Sequence, residues 1–160
     1  MKRIVNTLFI VAMGTASFSA FAAQSHSTGG VCLPMSGAQS NLYSRTTSLQ
    51  HQDTTAGAEY YCPVTFTPTG ASTVSLVTEV GDFNTGDYVQ CRFEYATQGS
   101  GGVVSGPWVK SGSTAGFTGV TTLTLLSSAA IPANTGLTVR CKMPSSTGFG
   151  SYISYSRATW

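Results

Sequence analysis

The sequence has 160 residues, with 8 Lys and Arg against 6 Asp and Glu and a formal net charge of +2. Lys2 and Arg3 account for that surplus, so the chain beyond its amino-terminal segment is formally neutral. Without a net positive charge or any local basic cluster, it lacks the phosphate attraction on which nucleic-acid binding depends, and nucleic acid is excluded as an expected partner.

Residues 1–23 read as a cleavable signal peptide. A basic start is followed by an apolar stretch from Ile4 to Phe21 and the small-residue ending Ala20-Phe21-Ala22-Ala23, with cleavage expected after Ala22 or Ala23. Asn6, Thr7, Gly14 and Ser17 interrupt the apolar run, which argues against a retained membrane anchor. No later stretch is long and apolar enough for a membrane-spanning helix, so no transmembrane segment is expected after cleavage. The expected destination is the periplasm, the cell surface or the extracellular medium.

Residues 24–30 form a short polar stretch, expected as a flexible lead-in, and residues 31–160 are expected to form one domain. From there, short apolar stretches of period two alternate with Gly, Ser, Thr, Asn and Pro. No segment holds a helical period over three turns. Strands are predicted over Tyr60–Phe66, Ser72–Val80, Tyr88–Tyr95, Val120–Leu126 and Leu137–Met143. Weaker ones are predicted near Val31–Met35, Asn41–Arg45, Val103–Lys110 and Phe149–Ser156. Pro63 cannot donate to a ladder, so the strand that carries it is expected at a sheet edge. About nine short strands predict an all-β, single-domain antiparallel β-sandwich or jelly roll.

Cys32, Cys62, Cys91 and Cys141 all follow the signal, and an even number of cysteines in an exported chain predicts two disulfides. No cysteine pair has the close spacing of a structural zinc site, and no cofactor is expected. Strand phase turns Cys62, Cys91 and Cys141 inward, which favours Cys32–Cys62 and Cys91–Cys141, the latter reaching across the sandwich. The order Cys91, Trp108, Cys141 resembles the cysteine–tryptophan–cysteine order of immunoglobulin domains, although Val139 occupies the place of their corner tyrosine. That resemblance implies an inter-sheet disulfide beside an aromatic.

Candidates for catalysis are sparse. His51 lies in the polar run Gln50-His51-Gln52-Asp53, read as an exposed loop, and there is no Gly-x-Ser-x-Gly elbow. Glu79, Asp82 and Asp87 gather around a predicted hairpin loop, with Glu94 down the following strand. Glu79 and Glu94 fall in outward phase, where nothing would bury one of them as an acid catalyst requires. Asp82, Asn84 and Asp87 offer oxygens in one tight turn and form a weak calcium candidate, competing with a turn held by its own Asp and Asn side chains.

All six acids lie between Asp53 and Glu94 and every charge after Glu94 is basic, which raises the alternative of a molecule with oppositely charged ends that stacks head to tail. Trp108, Tyr152, Tyr155 and Trp160 are the candidate ligand-binding residues, since aromatics on a β face stack on sugar rings or anchor a protein partner. The chain is therefore expected to be a non-catalytic surface protein, an adhesion or filament subunit, with a carbohydrate-binding module as the alternative and a secreted hydrolase behind both. Expected partners are a protein, further copies of itself, or a glycan.

Overall fold

The computed structural model describes residues 24–28, 32–35, 42–44, 48–64, 73–96, 102–112, 118–127, 129–132, 135–146 and 150–160. The expected signal peptide lies outside them. Twelve strands and no helix are present among the described residues, and every strand pairing is antiparallel.

The strands divide between two six-stranded sheets packed as a sandwich. The first contains β1 (Gln24–Thr28), β3 (Leu42–Ser44), β4 (Leu49–His51), β6 (Ser75–Asp82), β10 (Gly119–Leu126) and β12 (Tyr152–Thr159). Its order is β10-β6-β12-β4-β3, with β1 also alongside β12. The second contains β2 (Leu33–Pro34), β5 (Ala58–Val64), β7 (Gln90–Ala96), β8 (Val103–Ser105), β9 (Val109–Lys110) and β11 (Leu137–Met143). Its order is β2-β5-β11-β7-β8, with β9 also alongside β7.

The period-two pattern explains the core. From the first sheet Leu49, Leu76, Val80, Leu123, Leu125, Ile153 and Ala158 point inward; from the second come Tyr60, Cys62, Val64, Cys91, Phe93, Leu137, Val139, Cys141 and Met143. Buried hydroxyls in this interior pair with one another where strands bring them together. Thr78 and Ser156 join hydroxyls at 3.1 Å between β6 and β12.

Several sequence expectations change here. Gln24–Thr28, expected as part of a flexible lead-in, forms β1, paired along β12 from Thr159 to Tyr155. The strand carrying Pro63 is internal, between β2 and β11. Proline is tolerated because β2 pairs only with Tyr60 and Tyr61 and stops short of Pro63. The segment between β6 and β7 is no hairpin loop, since those strands lie in opposite sheets. Among the described residues, only β3–β4 and β7–β8 pair strands consecutive in the chain.

Both disulfides have the expected partners, Cys32–Cys62 and Cys91–Cys141. Neither joins the two sheets. Cys91 and Cys141 are register partners on adjacent strands β7 and β11, and Cys32 precedes β2 opposite Cys62 of β5. The inter-sheet bond implied by the immunoglobulin-like order is thus replaced by two staples within one sheet, which fix neighbouring strands to each other.

Candidate functional site

The outer face of the second sheet gathers a cluster of charged and aromatic side chains. Alternation sends Glu59, Tyr61 and Pro63 outward from β5, Thr138, Arg140 and Lys142 from β11, and Gln90, Arg92 and Glu94 from β7. The register sets these in three rows, Glu59–Lys142–Gln90, Tyr61–Arg140–Arg92 and Pro63–Thr138–Glu94.

Ion pairs tie the rows together, with Arg140 and Arg92 side by side in the middle row and a glutamate in the row on each side. Arg92 Nε and Nη2 donate to Glu94 Oε1 at 2.9 and 2.5 Å, and Arg140 Nη1 donates to the same oxygen at 3.2 Å. Arg140 Nε donates to Glu59 Oε2 at 2.7 Å, and Lys142 Nζ lies 3.2 Å from Glu59 Oε1. Burial by itself would raise the Glu59 carboxyl, but the hydrogen bonds from Arg140 and Lys142 outweigh it and hold Glu59 below its ordinary value. Arg140 is correspondingly pushed up, its own burial opposed by the bonds to Glu59 and Glu94.

Trp108 lies over this ladder. Gly106 donates its backbone N–H to the Phe93 carbonyl at 2.9 Å as β8 ends, and Gly106-Pro107-Trp108 then lead into β9. A Cβ at Gly106 would overlap the Phe93 ring, so glycine lets this connection pass close to the sheet. The indole centroid is 4.6 Å from the Arg92 guanidinium, 4.7 Å from Lys142 Nζ and 5.9 Å from the Arg140 guanidinium. Tyr61 takes Arg140 at 5.7 Å, and Tyr88 takes Lys110 at 4.6 Å. Three half-buried aromatic rings therefore share one face, each held by cations.

Two clefts flank the ladder. One of about 470 Å³ includes Tyr88, Gln90, Glu59, Lys142, Met35 and Ser145 in its lining. The other, of about 420 Å³, is mainly apolar and includes Leu33, Tyr61, Pro63, Tyr95, Val103 and Glu94. Glu94 is in outward phase as expected, yet it is buried at 5% exposure because its neighbouring arginines close over it.

The sequence-predicted aromatics are not brought together. Trp108 belongs to the second sheet, while Tyr152, Tyr155 and Trp160 lie on or just after β12 of the first. The Tyr152 ring lies across Gly81 and 6.0 Å from the Phe83 ring, Tyr155 stands opposite Glu79, and Trp160 packs against the core. Tyr61, Tyr88 and the charged ladder escaped the sequence reading. Their only signal was the i, i+2 spacing of Arg92 with Glu94 and of Arg140 with Lys142 on the polar phase of their strands.

His51 is buried in β4, contrary to the exposed loop expected for it. Its Nε2–H donates to the Ala56 carbonyl at 2.9 Å, which leaves Nδ1 to accept the Tyr60 hydroxyl at 2.7 Å across the sandwich. Both ring nitrogens are committed to the core. Burial, with a smaller contribution from Asp53, pushes the Tyr60 hydroxyl up to about 12.

The acids around the β6–β7 segment are equally engaged. The buried Asp82 carboxylate accepts the Asn84 and Val89 N–H groups at 3.1 and 3.0 Å and the Ser111 hydroxyl. Asn84 Oδ1 accepts Gly86 and Asp87 N–H at 2.6 and 2.9 Å, and Asp87 accepts the Tyr88 N–H at 2.8 Å. The oxygens considered for calcium thus tie down their own turn, as Asp and Asn do in loops. Glu79 and Glu94 stand on different sheets and form no catalytic pair.

No family model and no curated protein matches the chain. Among solved structures, it is similar to a native family 35 carbohydrate binding module from Clostridium thermocellum at 10% identity and TM-score 0.49, covering 86% of this chain and 98% of that one. The C-terminal CBM6 of a marine laminarinase from Zobellia galactanivorans matches at 14% identity and TM-score 0.46, over 81% and 99% of the two chains. The enzymatically active domain of a tailspike protein from Bacteriophage CBA120 matches at 13% and 0.47, over 84% of this chain and 19% of that one. At these identities and scores, neither family membership nor a ligand carries over to this chain.

Proposed function

We propose that this chain is an exported, non-catalytic carbohydrate-binding protein whose site is the outer face of the second sheet. The observation that carries the reading is Trp108 lying across Arg92 and Lys142, with Tyr61 beside Arg140 in the same ladder. A saccharide presents apolar C–H faces that stack on aromatic rings and vicinal hydroxyls that take paired hydrogen bonds, and this face offers both. The ion pairs hold guanidinium and carboxylate groups in place before a ligand arrives, which lowers the ordering cost of binding. The carboxylates are neutralised by arginine and His51 is sealed in the core, which supports binding over hydrolysis.

Two disulfides among buried cysteines support maturation in an oxidising compartment outside the cytoplasm. The reading extends this to removal of residues 1–23 as a signal peptide, with the sandwich as the mature domain.

The test is a glycan array probed with oxidised mature protein, followed by calorimetry on any hit. Trp108→Ala and Tyr61→Ala are expected to weaken binding by about tenfold or more, and Tyr152→Ala on the opposite sheet to leave it intact. An array without hits, or a hit indifferent to Trp108, overturns the proposal.

A further inference from the structure

The edge at β10 carries a separate inference. Most edges of the two sheets are short or guarded: β2 has two residues including Pro34, β9 has two including Lys110, and β3 and β8 have three each. Strand β10 is eight residues long, with neither a charged residue nor a proline. It pairs in full register with β6 on one side, and among the described residues its other side has no strand. Its outward row is Val120, Thr122, Thr124 and Leu126, with Val120 and Leu126 exposed at 54% and 61%. An unguarded strand of this length is a template for pairing with another chain.

We propose that β10 is a self-association edge that pairs antiparallel with β10 of a second copy, about a two-fold axis through Leu123. The register follows from the strand's own sequence. Opposed residues of an antiparallel pair lie on the same face, so the axis must pass through a residue position. Placed at Leu123, it sets Val120 against Leu126 of the second copy, Thr122 against Thr124, and Leu123 against itself. Each exposed apolar side chain is covered by the other, threonines face threonines, and no charge opposes a like charge. An axis one residue earlier leaves Leu126 facing Thr118. The arrangement is self-complementary, as a two-fold interface requires, and joins the first sheets of two copies into one continuous sheet.

A single strand pair buries less than the about 1,200 Å² at which standard-size interfaces begin, so a dimer of micromolar or weaker affinity is expected. It is measured by sedimentation velocity and light scattering over a concentration series of the oxidised mature chain. The double variant Val120→Glu with Leu126→Glu sets like charges opposite each other twice and is expected to weaken the dimer by about tenfold or more. Val120→Lys with Leu126→Glu sets opposite charges in the same places and restores it. Circular dichroism and thermal melting establish that both variants fold. A monomer at every concentration, a dimer indifferent to the first variant, or failure of the second to restore it overturns the proposal.

Discussion

Arg140 and Glu59 stand 81 residues apart in the chain and are joined by a 2.7 Å hydrogen bond from Nε to Oε2 across β11 and β5. Their pairing makes stability depend on pH in a defined direction. Glu59 sits below its ordinary value of 4.5 in the folded chain, so its contribution is fully present above that value and is lost as pH falls through the lower folded value. Thermal melts from about pH 7 down to pH 2 are expected to show destabilisation beginning below about pH 4.5. Glu59→Gln should flatten that part of the profile while lowering stability at neutral pH.

The alkaline limb has the opposite sign. Tyr60 is raised to about 12 from 10.0, so folding favours its protonated form, and the stability this supplies is lost as pH rises from 10 through 12. Ultraviolet titration of tyrosinate is expected to show Tyr60 ionising late, together with unfolding, with Tyr152 also delayed by its burial. Tyr60→Phe should remove that late step and also destabilise the fold, because it leaves His51 Nδ1 buried without its hydroxyl partner.

Gly150 is a point where no side chain fits. A Cβ there would overlap the His51 carbonyl, a backbone atom fixed by the hydrogen bond from His51 N to Ser151 O at 2.8 Å. Gly150→Ala is expected to cost about 1–3 kcal/mol, read from denaturant melts, by forcing β4 away from β12. A variant as stable as the parent would show that the two strands separate without penalty.

The disulfides close loops of 30 and 50 residues, for which chain entropy gives about 3.5 and about 4 kcal/mol. Replacing Cys91 and Cys141 together by alanine should therefore destabilise at least as much as replacing Cys32 and Cys62. All four cysteines are buried, so thiol labelling after mild reductant is expected only once denaturant is added.

The inward phases of Val74, Leu76, Val80, Cys91, Phe93, Leu123, Leu125, Val139 and Cys141 were legible in the sequence, and all are buried. So were both disulfide pairings. Beyond the strong strands legibility fell away: β4 is three residues long, too short to display a period, and His51 within it read as loop. The candidate site was legible only at Trp108. Tyr61, Arg92 and Arg140 look like ordinary outward residues until β5, β11 and β7 are laid side by side.

The sequence by itself determined the class of the fold, because a period of two with frequent turn residues leaves an extended chain one way to bury its apolar half. It also determined which cysteines face inward. Which strands became neighbours was decided only by the tertiary structure, since most pairings join segments distant in the chain and alternation is blind to the identity of the partner strand. That choice dissolved the segregation of charge along the sequence, where acids lie early and bases late. Strand β11 carries Arg140 and Lys142 between β5 with Glu59 and β7 with Glu94, so acids and bases that are separate in sequence meet in one ion-paired ladder beneath Trp108. Coulomb attraction acts over a few ångströms of space whatever the separation in sequence, and only the folded register brings these groups within its reach.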